Sequence, residues 1–144
     1  MSKILGLDVG SSTIGVAVSD TFGWTAQGIT TIRRKNMQCD LKSLQHLIRQ
    51  HTISEVVVGI PFKMNGKMDS QTRKIIHFMR VLRNTVHLPI YSWDERFSTI
   101  AASKILDQGN VKKKKKAALI DQVAATIILQ GYLDHKNDGA SIHG

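Results

Sequence analysis

Residues 3–19, KILGLDVGSSTIGVAVS, decide the fold of this chain. Two apolar runs, Lys3 to Val9 and Ile14 to Ser19, flank the short polar segment Gly10-Ser11-Ser12. Apolar runs that are rich in β-branched residues and bounded by Gly and Ser predict strands, and so short a connection predicts an antiparallel pair. Ala26 to Arg33 is predicted to be a third strand, which gives an antiparallel meander at the start of the chain.

The rest of the chain alternates helical and strand patterns. Val56-Val57-Val58 is apolar without alternation, which is typical of a strand covered on both faces. Strands separated by helices imply parallel pairs, so we predict an α/β fold with a mixed five-stranded sheet and helices on both faces. The predicted elements after the meander are a helix from Leu41, a strand from Glu55 to Ile60, a helix capped by Asp69 or Ser70, a strand from Pro89 to Trp93, a short helix from Ser98 or Thr99 to Gly109, and a helix from Ala117 to Leu133.

Length and composition indicate one soluble domain. The 144 residues suit a single core, which we place at residues 1–136, with residues 137–144 as a frayed polar tail. Cys39 is the single cysteine, so no disulfide framework exists, in agreement with a reducing compartment. No signal peptide is recognisable and no apolar run approaches the roughly 18 residues of a membrane helix. We therefore expect a cytoplasmic protein with no membrane partner.

The charge favours a polyanionic partner. Lys and Arg total 20 against 11 Asp and Glu, a formal net charge of +9. Nucleic acid is the partner we expect; on charge alone an anionic membrane surface ranks second. A basic protein that is merely soluble stays an open alternative.

Two aspartates interrupt apolar segments. Asp8 lies inside the first strand, where a buried carboxylate is costly unless it is paired, hydrogen-bonded or bound to metal, and Gly6 and Gly10 leave room beside it for a backbone or a ligand. Asp121 lies in the last helix with only alanines three and four positions away, so other groups can approach it. The structural alternatives are a turn cap at Asp8 and a salt bridge from Asp121 to a preceding lysine.

A third acidic position follows the fifth strand directly. Asp94-Glu95-Arg96 stands at the carboxyl end of that strand, where α/β sheets place their sites. If the first and fifth strands are parallel, Asp8, Glu95 and Asp121 converge and need a counter-ion. Mg²⁺ or Mn²⁺ is the natural choice for oxygen ligands, and such ions hydrolyse phosphodiesters without a protein nucleophile. Ser11, Ser12 and Thr13 are therefore interpreted as turn hydroxyls.

The basic run before the last helix is a candidate clamp for a nucleic-acid backbone. It consists of Lys112, Lys113, Lys114, Lys115 and Lys116, which we call the lysine run and expect in a flexible loop. Each lysine would bind phosphate as a point charge, without reading the base sequence. A solvated charge run is the alternative.

Four stretches together resemble the YqgF family of Holliday-junction-resolvase-like nucleases and pre-16S ribosomal RNA nucleases. They are Gly6 to Gly10 running into Ile14 to Asp20, Val57 to Pro61 with Asn65-Gly66, Trp93 to Thr99, and Asp121 to Ala125 with Ile128-Leu129-Gln130. The resemblance implies an RNase H-like sheet of strand order 3-2-1-4-5 and a divalent-metal nuclease. Asp8, Glu95 and Asp121 stand at the family's acidic positions, and Arg96 beside them is a candidate nucleic-acid contact. Phe97-Ser98 replaces an expected Leu-Thr, a conservative departure.

Two other functions remain open from the sequence. An actin-like or sugar-kinase-like phosphotransferase also begins with an Asp-x-Gly-Ser-Ser loop, as residues 8–12 do, although such enzymes close ATP between two domains. A non-catalytic nucleic-acid-binding module on the same fold is the second. Structured RNA and branched DNA present the same phosphodiester, and a monomer and a homodimer are both compatible with the sequence.

Overall fold

The computed structural model describes residues 3–61, 68–94 and 113–143, with backbone alone at residues 113–118 and 138–143. The described strands are β1 (Lys3–Val9), β2 (Thr13–Ser19), β3 (Ala26–Arg33), β4 (Ile53–Ile60) and β5 (Ile90–Asp94). The described helices are α1 (Met37–Gln50), α2 (Ser70–Val86) and α3 (Lys113–His143). The predicted short helix between Ser98 and Gly109 lies outside the described residues, and so does the Asn65-Gly66 pair that contributes to the resemblance.

The described strands form one mixed sheet in the order β3-β2-β1-β4-β5. The pairs β1–β2 and β2–β3 are antiparallel, while β1–β4 and β4–β5 are parallel. The predicted meander, the predicted parallel pairs and the strand order implied by the resemblance are all confirmed. Because β1, β4 and β5 run in the same direction, they end together at one side of the sheet, which we call the carboxyl edge.

The two faces of the sheet carry different cores. Helices α1 and α2 cover one face with large side chains, among which Leu44, Phe78 and Leu82 are fully buried. Helix α3 covers the other face through a smaller cluster that includes Ala17, Ala125 and Leu129. The prediction of helices on both faces is confirmed. The same holds for the doubly covered strand, because Val57 contacts the α3 side while Val56 and Val58 face α1 and α2.

Helix α3 is longer than the sequence pattern predicted. It extends from Lys113 to His143 instead of from Ala117 to Leu133. The predicted flexible loop is therefore wrong for residues 113–116, and Lys112 lies outside the described residues. Lysine and alanine are strong helix formers, and no Gly or Pro interrupts the stretch, so the helix propagates back through it. The described helix also includes residues 137–143 of the segment predicted to be a tail. Among the described helices, none is long and apolar enough to cross a membrane.

Candidate active site

Asp8 lies near the end of β1 on the face that α3 covers. Its neighbours Leu7 and Val9 point into the α1/α2 core, so strand alternation places the Asp8 side chain on the α3 side together with Ile4. Asp8 is half-buried, and its cross-strand partner on β2 is Gly15. The carboxylate therefore lies at the carboxyl edge, beside the path of α3.

The backbone of α3 comes closest to the sheet at Gly15. A Cβ atom at Gly15 would overlap the main-chain carbonyl oxygen of Asp121, and a Cβ at Gly6 would lie 2.7 Å from the Cβ of Leu129. Gly28 on β3 completes the line, since a Cβ there would lie 3.0 Å from Thr126 Oγ1. We call Gly6, Gly15 and Gly28 the glycine seam. The prediction that Gly6 leaves room for another backbone is confirmed.

Thr13 orients the Asp121 carboxylate. The Thr13 hydroxyl donates a hydrogen bond of 2.6 Å to Asp121 Oδ2. Thr13 begins β2 two residues before Gly15 and therefore faces the same side of the sheet. Both acids are therefore next to Gly15. Asp8 is its partner in the β1–β2 pair, and the Asp121 main chain packs against it where α3 contacts the sheet. The interpretation of Thr13 as a turn hydroxyl missed this contact, because the two residues are 108 positions apart.

The other predicted site residues fall at or beyond the limits of the described chain. Glu95, Arg96 and Lys112 lie outside the described residues, and residues 113–116 begin α3 with only their backbone described. The parallel arrangement on which the prediction of convergence depended is present, and β5 ends at Asp94, the residue before Glu95 in the sequence. Within the described residues no group of three or more His, Cys, Asp or Glu side chains could hold a metal ion.

The chemistry of the described acids nevertheless suits a hard cation. Asp8 is paired with Gly15 across β1 and β2, the Asp121 main chain lies against Gly15, and the Asp121 carboxylate accepts the hydrogen bond from Thr13. Oxygen ligands of this type select Mg²⁺ or Mn²⁺, whereas zinc sites are usually built from Cys and His.

A buried ion pair fixes the turn that follows Asp8. Asp40 is only 2% exposed and accepts a 3.0 Å contact from Arg34 Nε and a 3.1 Å bond from the Lys35 main-chain N–H. Arg34 Nη1 also donates to the Gly10 carbonyl oxygen at 2.9 Å. The sequence analysis missed this pair. The available signal was an acid in the first turn of a helix that is preceded by consecutive basic residues.

Polar and aromatic contacts anchor the other end of α3. Tyr132 donates a 3.2 Å hydrogen bond to Glu55 Oε2, and Lys136 Nζ lies 2.7 Å from Glu55 Oε1. Burial, reinforced by the negative charge and hydrogen bond of Glu55, raises the pKa of Tyr132 to about 12. The rings of Trp93 and Tyr91 lie beside Tyr132. These contacts connect α3 with β4 and β5.

Comparison with known proteins identifies the family. A family model described as RuvX, Holliday junction resolvase, matches residues 2–135. The chain belongs to this family. A Moorella thermoacetica protein is 50% identical over 132 residues, which are 92% of this chain and 94% of that protein. A Clostridium acetobutylicum protein is 47% identical over 132 residues, 92% of this chain and 98% of that protein. Both relatives carry the name "Putative pre-16S rRNA nuclease".

Membership of the RuvX family confirms the resemblance that the four motifs indicated, and it places the chain among nucleases, which hydrolyse phosphodiester bonds. It therefore favours the nuclease over the phosphotransferase. Solved structures agree on the fold. Thermus thermophilus RuvC in complex with a Holliday junction substrate has a TM-score of 0.53 at 12% identity, covering 86% of this chain and 92% of that one. Fowlpox virus resolvase in complex with Holliday junction DNA has a TM-score of 0.57 at 17% identity, covering 92% and 97%. The predicted RNase H-like fold is confirmed.

Proposed function

We propose that this RuvX-family protein is a divalent-metal-dependent endonuclease in which Asp8, Glu95 and Asp121 are the metal ligands and catalytic residues. The observation that supports this most directly is the meeting of Asp8 and Asp121 at Gly15, at the edge of the sheet from which the chain continues to Glu95. Mg²⁺, with Mn²⁺ as a substitute, is the proposed cofactor.

The described residues have distinct roles in this proposal. Bound Mg²⁺ would neutralise charge on a phosphoryl oxygen and make a water nucleophilic, so no protein nucleophile is required. Asp8 offers its carboxylate from the sheet and Asp121 offers its own from the helix. The hydrogen bond that the Thr13 hydroxyl donates keeps the Asp121 carboxylate from rotating. The glycine seam holds the helix close enough to the sheet for the two acids to act on one phosphate.

The proposed substrate is precursor 16S ribosomal RNA, processed at its 5′ end in the cytoplasm by a single domain formed by residues 1–136. The names of relatives at 47% and 50% identity support this choice. A four-way DNA junction is the second candidate, favoured by the description of the family model. A resolvase role would require a homodimer with two-fold symmetry, whereas RNA processing is possible for a monomer.

The lysine run and Arg96 are proposed to contact the nucleic-acid backbone. Residues 113–116 precede Asp121 on the same helix, so their backbone lies roughly 8–12 Å from Asp121 along the helix axis. Lysines at this distance would hold phosphates next to the one being cleaved, without sequence readout.

The decisive experiment is cleavage by the purified protein with Mg²⁺ or Mn²⁺ on precursor rRNA, four-way junctions and single strands. Asp8→Asn is expected to abolish cleavage of the preferred substrate, because losing one charge weakens metal binding without removing packing volume. Asp134→Asn is the matched control, since Asp134 is an exposed acid on α3 away from the acids at Gly15, and it should retain activity. Full activity of Asp8→Asn, or cleavage that survives EDTA, would contradict the proposed site.

A further inference from the structure

A cavity of about 260 Å³ opens at the carboxyl edge on the α1/α2 side of the sheet. Its polar lining comes from three parts of the chain: Ser11 in the β1–β2 turn, Arg34 and Lys35 before α1, and Gln71 and Lys74 in the first turns of α2. None of these residues belongs to the metal site proposed above. The cavity nevertheless adjoins the β1–β2 turn, since Val9 and Ser11 line it and Asp8 directly precedes Val9.

The lining of the cavity is positively charged. Asp40 also lines it, but its carboxylate is buried and held by the Arg34 guanidinium at 3.0 Å. Three cationic side chains against one carboxylate leave an excess of two positive charges, carried by the exposed Lys35 and Lys74. Gln71 and Lys74 lie in the first two turns of α2, and the N-terminus of a helix is the positive end of its dipole. This combination favours an anion with several acceptor oxygens, and phosphate is the common biological one.

The cavity is mechanically connected with the proposed catalytic acids. Arg34 donates to the Gly10 carbonyl oxygen at 2.9 Å, and its main-chain N–H donates to the Ser12 carbonyl oxygen at 2.8 Å. Those two bonds fix the turn that has Asp8 on one side and Thr13 on the other. A strand that crosses the carboxyl edge from the acids on the α3 side would pass over this turn and reach the cavity.

We propose that this cavity binds a backbone phosphate of the substrate strand, next to the phosphate that is cleaved. The inference rests on the proposed nuclease function for the position of the strand. It adds a second contact region on the opposite side of the carboxyl edge from the lysine run. The bound strand would then straddle the edge, with Lys35 and Lys74 holding one side of it.

Binding without metal tests the inference separately from cleavage. A labelled single-stranded RNA and a labelled four-way junction are titrated in EDTA with wild-type protein and with Lys35→Ser/Lys74→Ser. The affinity of the variant is expected to fall on the order of tenfold at ~0.1 M salt, with a salt dependence shallower by about 0.7 to 0.9 per lost contact. Lys42→Ser/Arg49→Ser is the control, because it removes the same charge from exposed positions of α1 that do not line the cavity.

Equal losses in the two double variants would overturn the inference, since only overall charge would then matter. Unchanged affinity in Lys35→Ser/Lys74→Ser, or no binding by the wild type, would also overturn it. Inorganic phosphate distinguishes a site for a free anion from a site for a nucleic-acid strand. If phosphate raises the melting temperature of the wild type while Lys35→Ser/Lys74→Ser still binds the strand with wild-type affinity, the cavity is not a strand site. Absence of cleavage on every substrate would instead refute the nuclease proposal. The binding comparison would still test the cavity, because it does not depend on cleavage.

Discussion

The two faces of the sheet differ in the size of the side chains that contact the covering helices. Large aliphatic and aromatic side chains fill the α1/α2 face, and Leu44, Phe78 and Leu82 are fully buried there. The α3 face has glycines where that helix crosses β1, β2 and β3. Filling a face with large side chains maximises buried apolar area, whereas removing side chains lets a backbone approach.

The difference indicates what each face contributes. The α1/α2 face supplies most of the packing that stabilises the sheet, and its buried charge, Asp40, is satisfied by Arg34. The α3 face has less apolar side-chain volume at the glycine seam, and the close approach there places the Asp121 main chain against Gly15, the cross-strand partner of Asp8. Changes to the two faces should therefore separate stability from the proposed metal binding.

Gly15→Val should have the largest effect. The new side chain would occupy the space of the Asp121 carbonyl oxygen, so α3 must shift and both stability and the site should suffer. We expect a loss of more than about 3 kcal/mol in the free energy of unfolding, the upper end for overpacking. Loss of the increase in melting temperature on adding Mg²⁺ should accompany it. Urea unfolding and melting with and without Mg²⁺ measure the two effects.

Gly131→Ala is the matched control for that substitution. A Cβ atom at Gly131 would lie 3.1 Å from Trp93 Nε1, a side-chain atom that can move slightly, and alanine favours the helix. This variant should be close to wild type in stability and in its response to Mg²⁺. A Gly15→Val protein that matched it would show that the close approach at Gly15 is unnecessary.

Leu44→Ala tests the opposite face. Leu44 is a fully buried residue of α1, and removing its side chain should cost about 2–5 kcal/mol in the free energy of unfolding. The increase in melting temperature with Mg²⁺ should persist, because the acids lie on the other side of the sheet. Differential scanning fluorimetry with and without Mg²⁺ checks this. A Leu44→Ala protein that folds but no longer responds to Mg²⁺ would contradict the separation of the two faces.

Thr13→Val should affect the site more than the fold. The substitution preserves shape and removes the hydroxyl that donates to Asp121 Oδ2, so stability should fall by about 1 kcal/mol. Affinity for Mg²⁺, measured by calorimetry, should fall several-fold because the carboxylate can rotate. Thr85→Val is the control, since the Thr85 hydroxyl donates at 2.8 Å to the Val81 carbonyl oxygen within α2. Equal affinities for Mg²⁺ in the two variants would exclude an orienting role for Thr13.

Local sequence patterns predicted the strands and helices, but they could not predict contacts between residues that are far apart in the chain. Apolar runs and the short polar connections between them predicted the meander, and Asp8 was noticed because a carboxylate interrupts an apolar strand. Gly15 and Thr13 carried no comparable signal, because what each contacts is the helix around Asp121, more than 100 positions away. The extent of α3 was underestimated because consecutive lysines suggested a loop, although lysine propagates helices well.

Tyr132→Phe should have the smallest effect and separates the two ends of α3. Glu55 accepts the Tyr132 hydroxyl bond near the start of β4, away from the carboxyl edge, so the response to Mg²⁺ should be unchanged. Losing the bond should cost about 0.5–1 kcal/mol near neutral pH.

The pKa of about 12 in the folded state exceeds the value of about 10 in an unfolded chain, so the folded protein holds this proton more tightly. The stabilisation is therefore complete below about pH 10 and is lost as the pH rises toward 12. Urea unfolding of wild type and Tyr132→Phe at about pH 9 and about pH 11 should show the difference between them shrinking at the higher pH. Tyr91→Phe is the control at about pH 9: it removes a phenol hydroxyl but keeps the ring that stacks on Tyr132 with centroids 6.0 Å apart, so its free energy of unfolding should stay within about 0.5 kcal/mol of wild type. A difference between wild type and Tyr132→Phe that is constant across this range would mean that Glu55 and burial do not hold the Tyr132 proton.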